Sequence, residues 1–310
     1  MNGASNRIYI FISKLLQILL LLLLSVGLAH AATPLVDSVW LIANLDKPDI
    51  RVLDLQPRSG YQRAHLPGSV NTDYGKWRVK GRNGTPAVIP EKDYLDNLIG
   101  QLGIDNRTHV ILAPLGVGAS DMAVATRIYW TFKAMGHDEI SILNGGLTAY
   151  SQIPGSRFVD EAYIPEPKQY NGQVKPEYFP GAKEVKTALD RGVTFVDSRS
   201  YDEYIGKVGG GWGKRAGTIP GSILLSFDRF VVKGSGYFHD LDKIKEIYQS
   251  SGVSIEGEQI SFCHTGHRTS LSWFVSHELL GNKDARMYDG SIIEWERDPN
   301  LPLEVLYKRK

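Results

Sequence analysis

Cysteine is almost absent from this sequence: 310 residues hold one, Cys263. A single cysteine excludes an internal disulfide and a c-type haem attachment, so the thiol has no covalent partner within the chain. Excess charge is missing too, because 35 Lys and Arg against 34 Asp and Glu leave a formal net charge of +1. That balance gives no general attraction for nucleic acid, and no nucleic-acid partner is expected. Hydrophobic residues at 42% and charged residues at 22% are globular proportions, which excludes a disordered chain and a membrane bundle. The length admits two domains of ordinary size.

The long apolar run that is present stands at the start. Arg7 and Lys14 precede Leu15-Leu16-Gln17-Ile18-Leu19 and a leucine run to Leu24, followed by Ala29-His30-Ala31. This order of cations, apolar core and small-residue site predicts a signal peptide over 1–31, cut before Ala32. Lys14 interrupts the run, and the core after it falls short of the ~20 residues of a spanning helix. A periplasmic or secreted protein without stable membrane insertion is the expectation, with an uncleaved anchor as the alternative because Ile8 to Ile12 extends the apolar stretch upstream of Lys14.

Beyond residue 31 the signals come twice. Val39 to Leu45 reads as a helix, Ile50 to Leu55 as a strand ending near a carboxylate, and His65-Leu66-Pro67-Gly68 as a turn. The helix Glu91–Leu102, the strand His109–Leu112, the helix Asp121–Met135 and the segment Ser141–Leu147 follow. In the second half Phe195-Val196-Asp197-Ser198-Arg199 answers Val52 to Gln56, Thr218-Ile219-Pro220-Gly221 answers the His65 turn, and Tyr288-Asp289-Gly290 answers the glycines at 145 and 146. Strands alternating with helices predict an α/β fold, each copy a parallel sheet flanked by helices on both faces. The copies are placed at 32–153 and 181–310, joined by a proline-containing linker over 154–180. The second copy carries ten extra residues between Asp197 and Pro220, where the glycine-rich stretch Gly206–Arg215 predicts a loop.

Cys263 lies between an apolar strand, Gln259–Phe262, and a helix with Leu271, Phe274, Val275 and Leu279 at helical spacing. A strand feeding a helix through a tight polar turn aims backbone N–H groups and the helix's positive end at the turn's centre, where a thiolate is stabilised. The polar neighbours His264, Thr265, His267 and Arg268 argue against burial in an apolar core and for a reactive thiol. Gly266 permits a strained backbone, Arg268 stands in the first helical turn, and Thr269 can cap the helix or donate to the sulfur. In the first copy the matching stretch, Leu112-Ala113-Pro114-Leu115-Gly116-Val117-Gly118, has no nucleophile and no cation. Its longer loop predicts that the backbone cradle is lost there and that the domain supports its neighbour.

Asp197-Ser198-Arg199, Ile219-Pro220-Gly221, the loop Cys263–Arg268 with Thr269, and Tyr288-Asp289-Gly290-Ser291 closing on Glu294-Trp295 together resemble the rhodanese family of sulfurtransferases in its tandem-domain form. The resemblance implies two rhodanese-like domains, the second catalytic. It implies a ping-pong transfer in which Cys263 takes the outer sulfur of thiosulfate as a persulfide and passes it to cyanide, a thiol or a protein acceptor. No cofactor and no metal are implied. By position, Arg199 and Arg268 correspond to the family's substrate-holding arginines, with His264, Thr265, Gly266, His267 and Thr269 forming the rest of the substrate-binding loop. The cationic loop favours thiosulfate over 3-mercaptopyruvate, which stays as an alternative. Thr218 departs from a histidine frequent before Ile-Pro-Gly.

Three other readings compete. A cysteine phosphatase or arsenate reductase carries Cys-x5-Arg, one residue longer than here, where position six is Thr269. A persulfide carrier without turnover of its own fits the same residues. Metal binding by Cys263, His264 and His267 would set adjacent ligands on one turn with no fourth partner. Tyr201, Glu203 and Trp212 are further candidates for lining the cleft near Arg199.

Overall fold

The computed structural model describes residues 32–209 and 215–308. The stretch read as a signal peptide, 1–31, and the tip of the Gly206–Arg215 loop including Trp212 lie outside the described residues. In the first half the strands are β1 (Leu35–Val36), β2 (Ile50–Asp54), β3 (Val70–Asn71), β4 (His109–Ala113) and β5 (Ile140–Leu143). Its helices are α1 (Ser38–Asn44), α2 (Arg58–Tyr61), α3 (Lys92–Gln101), α4 (Ala119–Ala134) and α5 (Gly146–Tyr150). The second half contributes β6 (Thr194–Asp197), β7 (Ile223–Leu224), β8 (Gln259–Phe262) and β9 (Ala285–Met287). Around these stand α6 (Ala182–Asp190), α7 (Tyr201–Tyr204), α8 (Leu241–Ser251), α9 (His267–Trp273) and α10 (Ser291–Trp295).

The sheets run in the orders β1-β5-β4-β2-β3 and β7-β6-β8-β9, with every pairing parallel. Read from its other edge, the second sheet is β9-β8-β6-β7, the order β5-β4-β2-β3 of the first. The repeat seen in the sequence is therefore a repeat of topology. β4 and β8 are central and covered on both faces: His109–Ala113 carries an apolar run, and in Gln259–Phe262 even the polar Gln259 and Ser261 are buried.

One core runs through both halves: Leu53, Ile128 and Trp130 of the first belong to the same buried cluster as Val196, Leu271 and Phe274 of the second. Helix α4 explains how. Nearly every residue from Met122 to Ala134 is buried, a helix apolar or covered all round, because one side faces its own sheet and another faces α9. Thr126 and Ser270 share a hydroxyl hydrogen bond of 2.9 Å across that contact. The linker is extended along the first half, with Lys168 N donating to Gly100 O, Gln173 N to Met135 O and Lys175 N to Ala134 O. Helix α9 begins at His267, which puts Arg268 in its first turn as expected, and continues beyond Trp273 as a π-turn over Phe274–Leu279.

Because the core is shared, the two halves should unfold together. Calorimetry is expected to show one transition. Leu271→Ala, which removes a fully buried side chain on α9, should lower stability by about 2–5 kcal/mol. Two separate transitions with only one shifted would contradict the shared core.

Candidate active site

The chain leaves β8 at Phe262 and turns through Cys263-His264-Thr265-Gly266 into α9. All four carbonyls of this turn are captured from outside. Cys263 O accepts from Ile292 N at 3.2 Å and His264 O from Ile293 N at 3.1 Å, both amides in the first turn of α10. Thr265 O accepts from Arg78 Nη2 at 2.7 Å and Gly266 O from Arg127 Nη1 at 3.2 Å, both arginines from the first half. In a planar trans peptide the C=O of one residue and the N–H of the next point in opposite directions. Outward carbonyls at 263, 264 and 266 thus turn the amides of His264, Thr265 and His267 inward, and among the described residues these make no hydrogen bond to protein. Such a concave row of N–H groups at a helix start is an anion cradle.

Two further features hold it. Ser291, whose buried hydroxyl accepts from both Cys263 N and Gly266 N at 3.2 Å and donates to Tyr288 O at 2.8 Å, pins the two ends of the turn together. It sits at φ +49°, a left-handed backbone uncommon for a residue with a Cβ. Gly266 is left-handed too, at φ +73°, and a Cβ there would come within 2.5 Å of Arg127 Nη1 and 2.8 Å of Asp289 O. Conformation and close approach both demand glycine at this position.

The structure departs from the sequence reading on several loop residues. Cys263 is buried, 1% exposed, rather than displayed on a polar turn, because the loop folds over it and Tyr74, Arg78 and Arg127 of the first half reach the loop from outside. The two histidines do not add to the loop's positive charge. Burial, followed by the Arg78, Arg127 and Arg268 cations, pushes His267 down to about 3, and its Nδ1 sits 2.8 Å from Tyr74 Oη. Burial also lowers His264, partly offset by Glu203, and both its ring nitrogens are buried without a partner. Thr265 faces the first half, where its hydroxyl accepts from Arg78 at 3.0 Å. Thr269 is buried with its hydroxyl unpartnered, and does not cap α9.

The arginines are engaged as well. Arg268, in the first turn of α9, makes a two-pronged pair with Glu203 of α7 at 2.7 and 2.8 Å. Burial alone would raise the Glu203 carboxyl, but the bonds from Arg268 and Ser200 outweigh it and hold it at about 2. Arg199 lies at the end of β6, 1% exposed, with its guanidinium bound to Asp197 at 2.7–3.1 Å and to Gly217 O at 2.8 Å. A substrate contact by Arg199 would have to compete with that buried pair. Thr218 completes it, donating to Asp197 Oδ2 at 2.8 Å. Tyr201 is exposed on α7.

A cleft of about 450 Å³ has Arg268, Ser200 and Ser226–Asp228 on one wall and residues 117–121 of the first half on the other. A larger cavity, about 580 Å³, is walled by Trp130, Tyr178, Trp273 and His277 and includes no residue of the Cys263–Arg268 loop. Of the two, only the smaller cleft includes a residue of the cysteine loop, Arg268, and Cys263 itself lines neither.

In the first half the corresponding turn keeps more than the sequence suggested. Leu147 N donates to Pro114 O and Thr148 N to Leu115 O, both at 2.9 Å, the same capture that α10 performs on Cys263 and His264. The cradle is not lost but filled: the Asp121 carboxylate accepts from the Gly116 and Val117 amides. Asp54 and Gln56 stand where Asp197 and Arg199 stand. Without a cation, burial raises Asp54 to about 6, with Gln56 and His65 acting the other way.

Sequence reasoning missed Ser291, Arg78, Arg127 and Tyr74, and raised Glu203 only as a cleft candidate. The Tyr288–Ser291 motif carried the signal for Ser291, whereas nothing local marks the others.

Glu203 gives this site a pH signature. Its carboxyl lies below the ordinary 4.5, so the pair with Arg268 stabilises the fold fully above about pH 4.5 and the contribution disappears as pH falls toward 2. Glu203→Gln should cost about 2 kcal/mol at pH 7, after discounting for screening at a half-buried site, and almost nothing near pH 2 by urea unfolding. A cost independent of pH would refute the ion-pair account.

A model of the rhodanese-like domain matches residues 37–153 and 181–298. The chain is 28% identical over 287 residues to a Haloferax volcanii protein named "Putative thiosulfate sulfurtransferase", covering 89% of this chain and 97% of that one. It is 27% identical over 292 residues to the "Sulfur carrier protein TtuD" of Thermus thermophilus, covering 89% and 98%. Among solved structures, a 3-mercaptopyruvate sulfotransferase of Escherichia coli, SseA, superposes with a TM-score of 0.72 at 22% identity, over 84% of this chain and 99% of that one. The anaerobic ergothioneine biosynthesis enzyme of Chlorobium limicola gives 0.76 at 22% identity, over 90% and 72%. At that identity the two structures bear on the fold alone. With the domain model matched twice over most of its length, the chain belongs to the rhodanese-like domain family as a tandem pair.

Proposed function

We propose that the second domain is a thiosulfate sulfurtransferase working through a persulfide on Cys263. The observation that carries this reading is the anion cradle: inward amides at 264, 265 and 267 converge on the turn that holds the only thiol. The Cys263 thiolate attacks the outer sulfur of thiosulfate, the S–S bond breaks, and sulfite leaves with the bonding electron pair. The inward amides then hold the terminal sulfur anion of the persulfide. Cyanide or a thiol attacks that terminal sulfur, and the Cys263 sulfur regains its electron pair as thiolate.

In this reading Arg268 supplies the cation at the cleft wall, and Arg199 keeps the end of β6 in place through Asp197. The neutral state of His264 and His267 removes the charge argument against 3-mercaptopyruvate, so thiosulfate rests on the cradle and on the names of the relatives. A carrier function is the second reading, supported by the similarity to a protein named as a sulfur carrier. Residues 1–31 are read as an export signal and the segments 32–153, 154–180 and 181–310 as domain, linker and domain, which places the activity in the periplasm or outside the cell.

Incubation with thiosulfate should add one sulfur atom to the intact mass of the protein, and Cys263→Ala should abolish the gain with melting unchanged. Steady thiocyanate production from thiosulfate and cyanide marks an enzyme; a stable persulfide with negligible turnover marks a carrier. Sulfur gain by Cys263→Ala would defeat both. Arg268→Ala should mainly raise the KM for thiosulfate, whereas Arg199→Ala, which strands the buried Asp197 carboxylate, should cost about 3–5 kcal/mol of stability.

A further inference from the structure

Two of the four carbonyls that shape the turn are held not by the domain that owns the cysteine but by its partner half. Arg127 is the more unusual of the two holders. It is fully buried in α4, its Nη1 reaching Gly266 O at 3.2 Å and Asp289 Oδ1 at 2.6 Å, with its guanidinium 4.6 Å from the centre of the Trp130 ring. Its Nε and Nη2 are buried and have no hydrogen-bond partner among the described residues. Burying a guanidinium with unused donors costs several kcal/mol, and an apolar side chain between α4 and α9 would hold the halves together more cheaply. What an apolar side chain lacks is a donor for Gly266 O and a countercharge for Asp289. Arg78 holds the preceding oxygen, Thr265 O, and so fixes the peptide whose N–H, that of Gly266, donates to Ser291 Oγ.

Each contact has a directional effect. A peptide whose oxygen is drawn toward the first half must present the following N–H on the other side. With Gly266 O released, nothing fixes the His267 amide toward the thiol. A left-handed glycine is the residue whose peptide planes turn most freely, so Gly266 needs an external hold. Asp289 has a second tie to the first half, accepting from Ile89 N at 2.9 Å through Oδ2, which keeps its carboxylate facing Arg127.

We infer that Arg127, seconded by Arg78, is a positioning residue for the cysteine turn: the half without a nucleophile sets the orientation of the amides that stabilise the thiolate and its sulfur adduct. The inference rests on the sulfur-transfer reading only for its catalytic arm. Tyr74, through its bond to His267, belongs to the same face of the first half.

The test uses the full chain and its single cysteine, so every thiolate signal comes from Cys263. The thiolate absorbance near 240 nm that is lost on alkylation is measured at pH 7 for wild type, Arg127→Met, Arg127→Lys and Arg78→Met, together with kcat, KM and melting. Arg127→Met should lose most of the thiolate signal and about 100-fold in kcat with KM little changed. Arg127→Lys, which keeps a charged donor, should recover most of both. Arg78→Met, nearer the surface, should show the same pattern more weakly and serves if Arg127→Met does not fold. Lower melting with the thiolate signal and kcat of folded protein intact would overturn the inference, leaving Arg127 as packing. If the thiolate signal follows the expected series while wild type transfers no sulfur, the positioning role stands and the sulfurtransferase reading falls.

Discussion

Everything at this site depends on where four carbonyl oxygens point. Because a peptide unit is rigid and trans, seizing the oxygens of Cys263, His264 and Gly266 from outside turns the following amides toward the sulfur, while the hold on Thr265 O leaves Gly266 N to Ser291. Two of those oxygens are held by the first turn of α10 and two by arginines from the other half. Neither holder is near Cys263 in the sequence. The turn is therefore less a local motif than the meeting place of three segments, with Ser291 closing it by accepting two amides at once.

The two halves show what one scaffold does when its chemistry diverges. At the end of the central strand the first half has Pro114 where the second has Cys263, yet the hydrogen bonds from α5 to Pro114 and Leu115 repeat those from α10 to Cys263 and His264. The amides that would meet an anion are occupied by the Asp121 carboxylate. At the end of the neighbouring strand the buried Asp197 has Arg199 and Thr218, whereas Asp54 has only Gln56 and is raised to about 6. The half without a cysteine has the same sheet order, a filled cradle, and α4 and two guanidiniums facing its neighbour.

Local electrostatics also look different once packing is known. A turn carrying two histidines and an arginine reads as strongly cationic in one dimension. In the folded protein burial, followed by the Arg78 and Arg127 cations, drives His267 to about 3, His264 is lowered by burial, and Arg268 is matched by Glu203. Among the described residues little net positive charge remains at the mouth of the cleft, so in the proposed reaction an anion would be stabilised mainly by backbone dipoles.

What the sequence determined by itself was whatever repeats at short range. The apolar run at β4, the short strand pattern at β8, the helical spacing in α4, the Asp197 and Pro220 turns echoing Asp54 and Pro67, and a lone cysteine before a glycine were enough for two α/β copies with the thiol in the second. These are properties of periodicity and local backbone preference, which a linear chain records directly. The tertiary structure alone decided that Arg127 and Arg78 would be within reach of the cysteine turn, that Glu203 would take Arg268, and that Asp121 would fill the first cradle's place. Arg127 reaches Gly266 because α4 packs on α9, across more than a hundred positions, and Arg268 meets Glu203 across the fold of the second half; no local spacing encodes which buried donor meets which acceptor.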